Sequence, residues 1–206
     1  MRLPRLALGL SLLAVVLLAA SGPAVRLGAP FLAGILLLPI AGLFGLLAVI
    51  VGIVAAFRGG FALALVAALV IGLVVAAVPV GGYVKARSVP PINDITTDAR
   101  EASDAQRRAY PDIQPLHLPV APNIAFERAK GAAEEMGWDI AREDPSAGRI
   151  EAVATTFWFG FKDDVLVRVS ADGGGSRVDV RSKSRVGKGD LGTNAQRIRA
   201  FQKRLQ

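Results

Sequence analysis

Apolar residues follow two regimes along this chain. Through Tyr83 they run almost unbroken, and beyond it they recur at helical or strand spacing among charges. The first regime holds three runs, at about 6–25, 29–57 and 61–83. A helix needs about 20 apolar residues to cross a hydrocarbon core, so each run is long enough. The second is overlong, which calls for tilt or a kink at Pro39, and Gly22 and Pro23 weaken the end of the first. "FRGGF" (57–61) leaves room only for a tight hairpin between the second and third helices. Small residues recur at helical spacing on both, Gly45, Ala48, Gly52 and Ala55 on one, Ala64, Ala68, Gly72 and Ala76 on the other. Such seams let helix backbones approach closely in lipid, although alanine and glycine are common in membrane helices in any case.

The second regime begins with a proline-rich connector, 84–121, expected to wrap the domain. Pro90, Pro91, Pro111, Pro115 and Pro119 block continuous helix there, and 98–109 is a candidate short helix capped by Asp98. Residues 122–136 are helical in pattern: Phe126, Ala129, Ala133 and Met136 share a face, Pro122 suits the first turn and Gly137 the stop. Strand alternation follows. "WDIARED" ends at the turn "PSAG". "RIEAVATT" faces Ile150, Ala152 and Ala154 inward, "DVLVRVS" Val165, Val167 and Val169, and "RVDVRSKS" Val178 and Val180. Leu191, Ala195, Ile198, Phe201 and Leu205 then mark an amphipathic helix with its cations on the far face. The expected architecture is α+β. A three-helix transmembrane anchor (1–83) precedes a core (122–206) in which an antiparallel four-stranded meander carries two helices on one face.

Charge sharpens this division. All 17 acids lie after Tyr83, whereas only Arg2, Arg5, Arg26 and Arg58 of the 24 cations lie before it. No ionisable or amide side chain interrupts the three runs, so proton relay or transport has no intramembrane groups to use. Cations on the two sides tie in number, and the first helix decides. Two arginines before it and one after place the N-terminus inside, so three spans put the C-terminal domain outside the cytoplasm. If the first run were a cleaved signal peptide, the other two would deliver the same side. The expected location is a bacterial inner membrane with a periplasmic or extracytoplasmic domain. The chain has no cysteine and one histidine, which removes disulfides, thiol catalysis and thiolate metal sites.

The segments "PPINDITTD", "MGWDI", "GRIEAVATTFWFGFKDDVLVRV" and "SRVDVRSKSRVGKGDLGTNAQRIRAF" resemble the bacterial domain-of-unknown-function family 1499, over about 88–204. The resemblance implies a membrane-anchored or exported domain of that fold, and no chemistry. Asn93 stands where members often carry His, so a role resting on that His does not transfer. The stretch after Asp98 also lacks the family's usual proline-aromatic segment.

Few residues are candidates for a site. With Val178 and Val180 inward, Arg177, Asp179, Arg181, Lys183 and Arg185 share the outer face, and Arg168 on the preceding strand joins them. "VGKGDLGTN" leads into the last helix with Asp190 or Thr193 as its cap. Arg168, Arg181, Lys183, Arg185, Lys188, Gly189 and Thr193 are the candidate anion-binding set. The plainer alternative is a solvated strand face whose cations pair with Asp163, Asp164 and Asp179. The run is not a phosphate loop, because Gly189 stands where Ser or Thr would bind magnesium. In "FWFGF" (157–161), alternation sets Phe157, Phe159 and Phe161 on one face as a core layer. The alternative is a hairpin tip of Phe157, Trp158 and Phe159 at the membrane interface. Asp163 and Asp164 point to opposite sheet faces and make no acid–base pair. His117 has no second ligand or nucleophile. No catalytic residue, metal or cofactor is expected.

These readings converge on a non-enzymatic, membrane-anchored extracytoplasmic domain that binds an anionic ligand or an envelope protein. The lipid bilayer is its one firm partner. A nucleic-acid role is not expected, because the cytoplasm is on the other side and the domain's charge is nearly balanced. The alternatives are an accessory subunit of a membrane complex held by its helix seams, or a carboxylate-dependent enzyme acting on envelope lipid or glycan through Asp163 or Asp164 with Arg181.

Overall fold

A computed structural model describes residues 2–59 and 63–206. The chain divides into two compact units, Met1–Arg87 with Trp158–Gly160, and Ser88–Phe157 with Phe161–Gln206.

The first unit contains α1 (Arg2–Arg26), α2 (Phe31–Phe57) and α3 (Leu63–Ser88). They are 25, 27 and 26 residues long, and all three are long and apolar enough to cross a membrane. At 1.5 Å per residue each reaches roughly 40 Å, longer than a ~30 Å hydrocarbon core. α3 runs past Tyr83 and carries Lys85 and Arg87 in its last turn. The tight loop expected after Phe57 includes Gly60 and Phe61, which lie outside the described residues.

Burial in this unit is the reverse of a water-soluble bundle. Its buried residues are mostly small, among them Ala7, Ser11, Ala14, Gly34, Ala41, Gly45, Ala48, Gly52, Ala68 and Gly72. Leu12, Leu36, Leu43, Ile50, Leu73 and Val74 are exposed. That arrangement suits lipid, which solvates large apolar side chains and lets small ones bring backbones together. At Gly45 an added Cβ would lie 2.7 Å from the Gly72 carbonyl oxygen, and one at Gly72 would lie 2.7 Å from that of Gly45. The seam on α3 therefore runs through Leu65, Ala68, Gly72 and Val75, with Ala64 and Ala76 only half-buried. Ser11 and Ser21 donate to Leu8 and Leu18 carbonyls within their own helix, so neither hydroxyl is left unbonded away from water. Trp158, grouped with this unit, donates its indole N–H to Ser21 Oγ at 2.9 Å.

The second unit is an α+β domain. Its antiparallel sheet has six strands rather than the four expected: β1 (Asp94–Thr96), β2 (Leu116–Leu118), β3 (Asp139–Asp144), β4 (Arg149–Thr155), β5 (Lys162–Asp172) and β6 (Gly175–Ser184). The order is β1-β6-β5-β4-β3, and β2 also pairs with β6. The two additional strands come from the connector. β1 lies along 181–183 and β2 along 176–178, so between them they occupy the far edge of β6. Three residues are too few to show alternation, and prolines precede both segments. The connector also contributes α4 (Asp104–Ala109), which is shorter than the 98–109 helix expected. Ser103, not Asp98, is its cap and accepts from the Gln106 N–H.

α5 (Pro122–Glu135) and α6 (Thr193–Leu205) supply the rest of the core. Ile150, Ala152, Ala154, Val165, Val167, Val169, Val178 and Val180 face it, as alternation requires. Ala125, Phe126, Ala129 and Ala133 meet them from α5, and Ala195, Ile198, Phe201 and Leu205 from α6. Trp138 stacks on Phe201 with ring centroids 5.1 Å apart. Leu191 is not part of this stripe: it precedes the helix at φ 56° and is exposed.

"FWFGF" is likewise not the core layer its alternation suggests. β4 ends at Thr155, Gly160 takes φ 70°, and residues 156–161 form a turn. The Thr156 N–H donates to the Phe161 carbonyl and the Phe161 N–H to Thr156 Oγ1, both at 2.8 Å. Outside a strand, period two has no meaning, and Phe157 is 86 % exposed.

The Gly45–Gly72 approach generates a test. Gly45→Leu should destabilise the helical unit by about 1–3 kcal/mol, read as a lower melting temperature of the full chain in mild detergent. Gly9→Leu, where an added Cβ meets nothing within 4 Å, should leave it unchanged.

Candidate functional site

Alternation along β4, β5 and β6 fills the sheet face turned away from α5 and α6 with charge. Arg149 lies opposite Arg168, which lies opposite Asp179. One step along, Glu151, Leu166 and Arg181 form a row, and beyond it Val153, Asp164 and Lys183. The β1 pairing then sets Asp94 against Lys183 and Thr96 against Arg181.

Most of these cations hold a carboxylate. Arg181 grips Asp94 with two nitrogens, at 2.8 and 2.6 Å, and Lys183 stands 3.6 Å from the same carboxylate. The Arg181 guanidinium outweighs partial burial and holds the Asp94 pKa below its ordinary value of 3.8. Glu101 bonds Arg168 at 2.7 Å and approaches Arg181 at 3.7 Å. Arg185 pairs with Asp164 and Arg149 with Glu151. Arg177 forks onto Asp179, at 2.7 and 3.0 Å, and Arg100 onto Asp98, at 3.0 and 2.7 Å. Asp98 is buried, and the Arg100 side chain and backbone N–H drive its pKa far below the carboxylate range.

The "DITTD" turn fixes this acidic side of the site. Thr97 Oγ1 accepts from the Val180 N–H (2.8 Å) and donates to Asp179 (3.1 Å). The Gln106 side chain donates to the Thr96 carbonyl and accepts from the Thr96 N–H, so it stands in for a strand partner. Asp94, Asp98, Arg100 and Glu101 thus belong to the site although they lie in the connector, where no periodicity singles them out.

Two open clefts mark the face. One, of ≈ 670 Å³, is lined by Asp98, Arg100, Arg149, Arg168, Arg177 and Asp179 over Ala147, Val169 and Ser170. The other, of ≈ 420 Å³, includes Arg149, Asp164, Arg181, Lys183 and Arg185. Of the candidate anion set, Arg181, Lys183 and Arg185 come together in the second cleft and Arg168 lines the first. Lys188, Gly189 and Thr193 line neither and sit on the way into α6. That helix start already has an anion of its own. Asp190 accepts from the Gly192 and Asn194 N–H groups, and Thr193 Oγ1 donates to the Asp190 carbonyl.

The opposite face hides a polar cluster that periodicity missed. Asp163 turns inward and pairs with Arg197 at 2.6 Å, their side chains only 3 % and 9 % exposed. Arg197 is therefore not on the far face of α6. It also donates to Ser182 Oγ, Ser182 to Asn194 Oδ1, and Asn194 to Ser184 Oγ and the Asn93 carbonyl. The available signal was the Asn194–Arg197 spacing, which flanks the apolar stripe of α6. His117, on the sheet margin, meets Asp172 at 2.6 Å. Among the described residues no group of three acids or histidines could hold a metal ion.

Three helices long and apolar enough to cross a membrane, followed by an α+β sheet domain with one charged face, define the class of module. Within it the chain belongs to the family described as protein of unknown function (DUF1499), whose family model matches residues 92–205. No curated protein and no solved structure matches the chain.

Two outcomes follow from this geometry. Arg197→Leu strands a buried Asp163 carboxylate and should cost about 3–5 kcal/mol in denaturant unfolding, with Asp163→Leu/Arg197→Leu recovering much of the loss. The Asp94–Arg181 pair predicts a pH effect. A carboxylate with a depressed folded pKa stabilises the fold above its ordinary pKa, and that contribution is lost as pH falls through the folded value. The stability difference between wild type and Asp94→Asn should be full near neutral pH and close as pH drops below 3.8.

Proposed function

We propose that this chain is a non-enzymatic, membrane-anchored domain of a bacterial inner membrane. Its N-terminus is inside, and its sheet domain is presented outside the cytoplasm to bind an anionic ligand. The observation that carries this reading is the sheet face left bare by both helices, where Arg149, Arg168, Arg177, Arg181, Lys183 and Arg185 line two clefts. Guanidinium groups already oriented by carboxylates need little reordering to accept an anion, and the cost of binding falls accordingly. The arginine distribution supports the orientation, since Arg2 and Arg5 stand at the start of α1 and Arg26 alone at its end. The aromatic turn 157–159, with Phe157 and Trp158 exposed, suits a membrane-interface contact.

A periplasm-active reporter fused after Gln206 should be active, and a cytosol-only reporter should be silent; the reverse pattern overturns the orientation. Crosslinking in intact cells near Arg181 and Lys183 should capture an anionic species, and Arg181→Ala with Lys183→Ala should reduce that capture.

A further inference from the structure

The larger cleft on the bare face goes beyond the candidate anion set, because three of its four arginines, Arg100, Arg149 and Arg177, are outside that set. We infer that the cleft ringed by Arg100, Arg149, Arg168 and Arg177 is a binding site for a phosphate dianion, carried either as free phosphate or as the monoester head group of a lipid. The inference rests on the sheet face being anion-binding and assigns that face its ligand chemistry.

Two guanidinium-bearing residues stand directly opposite each other on neighbouring strands, Arg149 on β4 and Arg168 on β5. Like charges in that relation repel and destabilise a sheet unless something between them carries the opposite sign. Their own acids, Glu151 and Glu101, each engage one nitrogen, Arg149 Nε and Arg168 Nη1. A guanidinium offers five N–H donors in a planar fork, so both arginines retain donors beyond those bonds. The other two arginines are set differently. Arg177 and Arg100 are forked onto Asp179 and Asp98, which fix their positions before any ligand arrives. Asp98 is itself buried, and Asp179 is tied to Thr97, so both anchors are held by the fold.

Donor geometry selects the ligand. Four cations and two acids line the cleft, and Glu151 and Glu101 beside it pair the other two arginines. The cleft therefore offers an anion the unspent N–H donors of convergent guanidinium groups rather than a surplus of charge. A phosphate or phosphomonoester carries close to two negative charges at neutral pH and presents three acceptor oxygens. A lone carboxylate presents two acceptor oxygens and would satisfy one fork. Small side chains at Ala147 and Ser170 leave the floor open, and ≈ 670 Å³ accommodates a head group with its first substituents.

The test uses the full chain in nonionic detergent at fixed ionic strength, because screening alone weakens surface ion pairing. Equilibrium dialysis against radiolabelled inorganic phosphate should show saturable binding. Arg149→Gln and Arg168→Gln should each weaken it by about tenfold or more, while Arg199→Gln, an equal charge loss where Arg199 pairs with Asp112, leaves it intact. Should a Gln variant melt early, Arg168→Lys keeps the charge and loses the fork, and it should weaken binding at an unchanged melting temperature. Short-chain phosphatidic acid then separates the sources. Competition with phosphate assigns the cleft to lipid monoesters as well, and no competition assigns it to free phosphate. No saturable binding by wild type, or an equal loss in Arg199→Gln, overturns the inference. If the cleft variants bind like wild type while Arg181→Ala with Lys183→Ala abolishes binding, the cleft assignment falls and the anion-binding role of the face stands.

Discussion

Ten residues of β6 impose the constraint on which the sheet domain depends. Period-two alternation sends Val178 and Val180 into the core and Ser182 into the polar cluster below α6, while Arg177, Asp179, Arg181 and Lys183 turn outward. The same strand bonds β5 along one edge, and β1 and β2 share the other. A one-residue slip would exchange every one of these positions, burying four charges and exposing the valines. Three devices hold the register. Gly173 and Gly174, both at positive φ, make the tight turn from β5; Thr97 bonds the Val180 amide; and Asn194 reaches the hydroxyl of Ser184.

In the helical unit the organising element is steric instead. Glycine at 45 and 72 brings two helix backbones within reach of each other's carbonyls, and leucine, isoleucine and valine are turned outward. Among the described residues of this unit, few large apolar side chains are buried, Val49, Leu65 and Val75 among them. The two units thus differ in surface, one suited to lipid and the other to water, and the chain's charge distribution, with no acid before Asp94, is the linear trace of that difference.

Much of this was legible in the sequence, for reasons that differ between elements. β4, β5 and β6 could be read because Ile150, Ala152 and Ala154, and the valines after them, alternate over enough residues to exclude a helix. β1 and β2 could not, because three residues carry no period and their pairing partner lies far along the chain. The aromatic turn misled because Phe157, Phe159 and Phe161 copy a strand's spacing, while Gly160 at φ 70° bends the chain out of it. Arg197 misled because a cation beside an apolar stripe is ordinarily solvated, and only the fold shows that Asp163 waits beneath it. At the site, Arg168, Arg181, Lys183 and Arg185 were found by parity along strands. Their counterions Asp94 and Glu101 were not, because Asp94 lies in a strand too short to show a period and Glu101 in the turn after it.

The treatment of the sheet's two margins restricts how anything can attach to this domain. One margin is short and broken, since β1 and β2, three residues each, form the outer edge there. The other, β3, breaks register between Ile140 and Arg142 and carries Asp139, Arg142, Glu143 and Asp144. Such an edge repels a visiting strand. Recognition by strand addition, and runaway stacking of copies edge to edge, are both discouraged, and a partner is directed to the broad charged face between the margins.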